Sequence, residues 1–345
     1  MSSDLRLSVL DQSMISEGST GPETLRNTLD LARLADELGY HRYWVSEHHG
    51  GRFVAGASPE ALIGPIASVT SGIRVGSGGV MLPHYSPFKV AESFSVLAGL
   101  FPDRIDLAVG RANGSDPYTA FALQRDRRQA HPDDFPQQLA ELLGYIEGEQ
   151  PEGFAFAHLA STMPGRPEAP APWLLGSSPQ SAIWAGELGL PYAFADFINP
   201  GGVDFAGLYR ERFTPGVREQ APRTIVALAV CCAETEEEAW AIAASSRMAF
   251  ALLRAGTPIA LPPPEKALRF LHDRGDTSPQ PPGRRAIYGA PSAVRLEIER
   301  LADVYGAEEV LVVTLAYDHE ARRRSYELLA DAFSLTPRAA RASRS

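Results

Sequence analysis

Tyr43-Trp44-Val45-Ser46-Glu47-His48-His49-Gly50-Gly51 is a short apolar run that ends on an acid, two histidines and two glycines. A strand that stops on ionisable residues presents chemistry at its end. In a barrel of parallel strands the carboxyl ends share one face and the loops there build the active site, so polar residues at that point read as functional rather than as core. The same ending recurs twice downstream. Ile105-Asp106-Leu107-Ala108-Val109 runs into Gly110-Arg111-Ala112-Asn113-Gly114, and Trp173-Leu174-Leu175 runs into Gly176-Ser177-Ser178.

Outward from these endings, strand-like runs at residues 5–10, 42–46, 73–80, 105–109, 173–175, 192–195, 224–230 and 310–315 alternate with helical patterns. Pro22 suits a first helical position, and Leu25, Leu29, Ala32, Ala35 and Leu38 keep helical spacing until Gly39. Ser58-Pro59-Glu60 and Ser86-Pro87 open the next two helices, and Thr235-Glu236-Glu237-Glu238 puts three acids in the first turn of another. Eight strands alternating with helices predict an α/β fold: a closed, eight-stranded parallel TIM barrel with inserted loops. It forms one domain over residues 1–335, followed by a flexible tail, 336–345. An open doubly wound sheet is the competing reading, but no Gly-rich phosphate turn follows the first strand. Prolines crowd residues 148–172 and 255–291 without a clear period, so both read as loops, the second as a lid on the active-site rim.

With 44% hydrophobic and 21% charged residues, the 345-residue chain has the composition of a soluble globular protein. No apolar run approaches the roughly 18 residues that a membrane helix needs. The N-terminus lacks a basic region followed by a long apolar one, so a cytoplasmic location is expected. A formal charge of -10 argues against nucleic acid as a partner. The basic cluster Arg338, Arg341 and Arg344 reads as a solvated end. Cys231 and Cys232 are neighbours on a strand, point to opposite faces and read as inert packing thiols.

Each candidate site carries two readings. His48 and His49 can be a base with its orienting group, metal ligands or hydrogen-bonded structure, and no spaced His or Cys partners support a metal. Glu47 orients His48 only if the chain turns sharply there, because neighbours on an extended strand point apart, and His49 has loop support as its alternative role. Arg111 is a free cation for a ligand or half of an ion pair on the rim. Gly176-Ser177-Ser178-Pro179-Gln180-Ser181 is a helix start suited to a phosphate, or a plain cap. Gly76, Gly78 and Gly79 sit near the end of the third strand and mark a bulge or a place where a ligand lies against the backbone.

In order along the chain, Glu47-His48-His49, Arg74-Val75-Gly76-Ser77-Gly78-Gly79-Val80-Met81-Leu82-Pro83, Gly110-Arg111, Gly176-Ser177-Ser178 and Glu187-Leu188-Gly189-Leu190-Pro191 resemble the bacterial-luciferase-like flavin monooxygenases. The match covers most of residues 5–330 and is similar to the subgroup found in actinomycete antibiotic pathways. The resemblance implies a barrel that binds reduced FMN, reacts it with O2 and oxidises a small organic substrate, such as a polyketide-type intermediate. It also implies a separate NAD(P)H-dependent flavin reductase and a homodimer. By the same resemblance His48 is the catalytic histidine with Glu47 and His49 beside it. Arg111, Ser177, Ser178 and Ser181 form the phosphate site, and Gly78-Gly79 is the strained bulge behind the flavin ring. Ser177 and Gly110 depart from luciferase, which has glutamate and cysteine there. Two alternatives are a deazaflavin-dependent oxidoreductase on the same fold and a flavin-binding protein without turnover.

Overall fold

A computed structural model describes residues 5–112, 116–124, 134–150, 153–216, 218–276 and 285–338. Its strands are β1 (Arg6–Asp11), β2 (Arg42–Val45), β3 (Arg74–Met81), β4 (Ile105–Gly110), β5 (Ala171–Gly176), β6 (Tyr192–Ala195), β7 (Thr224–Cys232), β8 (Ile287–Gly289) and β9 (Glu309–Val313). Neighbouring strands pair in parallel from β1 through β7, β7 pairs with β9, and β9 returns to β1. That closes an eight-stranded barrel and leaves no exposed edge in the ring. The short β8 stands outside it and, among the described residues, pairs only with Val230, Cys231 and Cys232 at the end of β7.

Around the ring run α1 (Gly21–Leu38), α2 (Pro59–Val69), α3 (Pro87–Leu100), α4 (Pro117–Leu123), α5 (Phe135–Glu147), α6 (Pro179–Glu187), α7 (Val203–Arg212), α8 (Glu236–Arg254), α9 (Pro264–Asp273), α10 (Pro291–Tyr305) and α11 (His319–Ala332). Their ends follow local chemistry. The Thr20 hydroxyl accepts the Glu23 N–H at the start of α1, Pro22 fills its first turn, and Gly39 ends it at φ 92°, a left-handed conformation that suits glycine.

Alternation along the strands separates two cores. Leu7, Val9, Tyr43, Val45, Val75 and Leu107 face outward into the layer between sheet and helices. Leu10, Trp44, Ala108, Trp173, Ile225 and Leu311 fill the barrel itself. Trp44 and Trp173 meet edge to face with ring centroids 5.6 Å apart and occupy much of that interior. Above them, toward the carboxyl ends, the inward positions turn small, with Gly78 on β3, Ala195 on β6 and Ala229 on β7.

The expected strands all form. The expected loops are more ordered than the proline pattern implied. Within residues 148–172, Ala157–Thr162 makes a short 3-10 helix. Within 255–291, α9 packs Ala267 and Leu271 on Ala244 and Met248 of α8, β8 joins β7, and Leu261 bridges to Ser16. Pro264 opens α9 at a first-turn position, so this proline marks a helix start, whereas β8 is too short to show a period. Residues 277–284 of the expected lid lie outside the described residues. Past residue 335 the Arg338 N–H donates to the Glu37 carbonyl, and its guanidinium reaches the Asp36 and Tyr40 carbonyls. Arg338 is therefore bound to the barrel, while Arg341 and Arg344 lie outside the described residues. No helix among the described residues is long and apolar enough to cross a membrane.

Candidate active site

The carboxyl ends of β2 and β3 are joined by one carboxylate. Glu47 is 1% exposed, and its oxygens accept from the Met81 N–H at 3.0 Å, the Tyr85 hydroxyl at 2.7 Å and His49 Nε2 at 2.6 Å. Burial first, and then the Glu47 charge, pushes the Tyr85 hydroxyl well above its ordinary range, so it stays a donor. Glu47 thus hydrogen-bonds the ring of His49, two residues further on. Residues two apart on an extended chain share a face and adjacent ones do not, so the pairing needs no sharp turn. The His49 ring also meets His84 edge to face at 5.9 Å. His48 is half-buried, and its backbone N–H donates to the Gly56 carbonyl at 3.0 Å, which fixes the chain as it leaves β2.

Beside this cluster the Gly78–Gly79 peptide is cis, and the register of β3 against β4 shifts between Gly78 and Val80. Gly79 needs glycine for space because it faces backbone, whereas Gly78 faces the end of a side chain that can shift. A Cβ on Gly78 would lie 2.6 Å from Leu10 Cδ1, and one on Gly79 would lie 2.7 Å from the Ala108 carbonyl oxygen. The bulge expected from three glycines is there, with bare backbone at the mouth of the barrel.

The third ending forms the start of α6. Ser178 caps it by accepting the Ser181 N–H at 3.3 Å, and Ser181 completes a capping box. The Ser181 hydroxyl donates to the Ser178 carbonyl at 2.8 Å, lies 3.0 Å from the Tyr192 hydroxyl and is buried, so Ser181 shapes the turn from within. Ser178 is exposed and Ser177 half-buried, and Asn199, after β6, donates to the Ser177 carbonyl at 3.0 Å. The exposed Arg111 sits with its guanidinium 5.7 Å from the Trp184 ring centroid on α6, which holds the cation beside the same helix.

Asn199, Tyr192, Tyr85 and His84 were not legible as site residues, because their partners are far away in sequence. Arg247 was legible in principle: it is the sole charged residue between Glu238 and Arg254. It lines a cleft at the mouth where Ala229, Val313 and Leu315 end the inner faces of their segments. Cys231 lines the same cleft, and burial pushes both thiols up to about 12, so neither is a ready nucleophile. Among the described residues, no group of three or more His, Cys, Asp or Glu is placed to hold a metal ion.

With this geometry in hand, comparison with known proteins is direct. Residues 5–321 match the model of the luciferase-like monooxygenase family. The chain belongs to that family. It is 37% identical over 335 residues to the N-acetyl-S-alkylcysteine monooxygenase of Bacillus subtilis, covering 95% of this chain and 98% of that one. The crystal structure of apo-MsnO8 shares 43% identity and superposes with a TM-score of 0.87 over 97% of this chain and 99% of its own. The fold alone is shared with the oxygenating constituent of 3,6-diketocamphane monooxygenase from Pseudomonas putida in complex with FMN, at a TM-score of 0.70 and 20% identity. It is likewise shared with an F420-dependent secondary alcohol dehydrogenase, at 0.67 and 16%.

Proposed function

We propose that this protein is a monooxygenase that uses reduced FMN and O2 to oxidise a small organic substrate. The observation that carries the choice of FMN is the placement of Arg111 against α6, whose start presents Ser177 and Ser178. A short phosphate tail suits that combination of one cation, two hydroxyls and a helix N-terminus. The bare Gly78–Gly79 backbone, where a Cβ on Gly79 has no room, suits a flat ring laid against it. FMN therefore fits the residues present. When bound, reduced FMN supplies the electrons for O2 activation.

The chain's own groups have separable tasks. Arg111, Ser177 and Ser178 hold the phosphate, and Ser181, Tyr192 and Asn199 hold the turn that carries it. His48 moves a proton to or from the reacting substrate through an imidazole nitrogen, a contribution typically worth about 10² to 10⁴ in rate. Glu47 acts through His49 by fixing its ring, and through the Met81 N–H by fixing the end of β3. Reduced FMN comes from a separate NAD(P)H-dependent flavin reductase, since no nicotinamide fingerprint occurs in the sequence. A homodimer is carried over from the family.

Titration calorimetry with FMN, riboflavin and F420, followed by oxygen-uptake assays with and without a flavin reductase, tests this reading. The expected result is the order FMN, then riboflavin, then F420 in affinity, with uptake only when the reductase is present. Tighter binding of F420 than of FMN, or rapid NADH oxidation by the purified chain alone, would overturn it.

A further inference from the structure

We propose that the cleft between α8 and the ends of β7 and β9 binds the carboxylate of an organic acid, with Arg247 as its counter-ion. This rests on the monooxygenase reading, whose substrate class it narrows. Arg247 is 4% exposed, yet among the described residues its Nε and Nη1 have no hydrogen-bond partner. Its guanidinium stacks on Trp240 with Cζ 4.0 Å from the ring centroid, and only Nη2 is engaged, by Asp276 Oδ1 at 2.7 Å. A guanidinium carries five N–H donors, and leaving several of them dry is costly unless something else accepts them. Stacking on Trp240 fixes the plane of the group but accepts none of its in-plane N–H bonds.

The cleft around this cation matches an organic acid with an apolar body. Ala229, Val313, Leu315 and Phe250 give it apolar walls. Its charged lining residues are Arg247, Arg254 and Asp276, and Asp276 meets Arg247 through Nη2, which leaves Nε and Nη1 for an added carboxylate. The cofactor's phosphate is the other oxyanion to consider. The α6 turn follows β5, whereas β7 and β9 lie two and three strands further round the ring, so the two anion sites are separate.

Calorimetry with three probes on the full chain tests the assignment: hexanoate, 1-hexanol and inorganic phosphate. Hexanoate should bind the unaltered protein and bind Arg247→Met about ten- to hundredfold more weakly, the span expected for charge-assisted hydrogen bonds. Hexanol should bind both proteins alike, Arg247→Lys should recover part of the loss, and FMN affinity should not change. Equal hexanoate affinity in the two proteins would overturn the proposal. So would an equal loss for FMN or phosphate, which would assign Arg247 to the cofactor. If Arg247→Met fails to fold, Asp276→Asn decides, because removing the competing carboxylate should tighten hexanoate severalfold, and an unchanged affinity would count against the site. These readouts need no turnover, so Arg247-dependent hexanoate binding without FMN binding would overturn the flavin reading and leave this one standing.

Discussion

The two ends of the barrel treat a buried arginine in opposite ways. At the amino-terminal floor, Arg42 Nη1 donates to Asp106 at 2.8 Å and its Nε to Glu309 at 2.6 Å. Arg74 and the Trp44 Nε1–H also donate to Asp106, and Ser8 donates to Glu309. Burial pushes the Asp106 carboxyl up, but Arg42 and Arg74 outweigh it and hold the group below its ordinary value. The fit is close to complete, with Glu309 Oε2 facing only His41 at 3.9 Å. At the carboxyl-terminal mouth Arg247 is as deeply buried and has one engaged nitrogen. Low dielectric makes a paired charge strong and an unpaired one expensive. The floor therefore stabilises the barrel, and the mouth keeps a charge ready for something that arrives later.

The largest expected effect breaks the floor. Arg42→Met takes the arginine from Glu309 and one of two arginines from Asp106, and should cost about 3–5 kcal/mol, since removing one partner of a buried pair leaves the other uncompensated. Urea unfolding measures it, and a loss below about 1 kcal/mol would mean that the floor is not what holds the ring. The variant should retain FMN affinity wherever it is folded.

A smaller effect is expected at the mouth. Arg111→Ala should weaken FMN about ten- to hundredfold while changing riboflavin far less, with no comparable drop in stability. Equal losses for the two ligands would move Arg111 from the phosphate to the rim.

The smallest effect sharpens the floor itself. Burial first, countered by Glu309 and aided by Arg42, pushes His41 down to about 4. The unfolded chain takes up this proton near pH 6.5 and the folded chain does not, so stability is complete above about 6.5 and declines as pH falls toward 4. His41→Gln should flatten that slope in denaturation midpoints measured across the window, and an unchanged slope would place the titration elsewhere.

Much of the barrel was legible because its information is local: apolar strands, capped helices and glycine stops repeat every few tens of residues. The glycine bulge and the helix start at Ser178 were legible for the same reason. The Glu47–His49 pairing was missed although it too is local, because the reading tied Glu47 to its immediate neighbour. Tyr85 and Tyr192 reach their partners only once neighbouring elements pack together, so no spacing announces them. Arg42, Asp106 and Glu309 illustrate the limit best. Each sits near the start of its strand, where an ionisable residue looks solvent-facing, and only closure of the barrel turns three such positions into one buried cluster.

The strand β8 touches the barrel through three residues of β7, while the ring itself closes by the β7–β9 pairing without it. Everything from α8 to β8 thus hangs from a structure that does not need it to close. A change confined to that segment would alter what the mouth accepts while leaving the pairing of the ring, with Glu47, the two glycines and Arg111 at its strand ends, untouched.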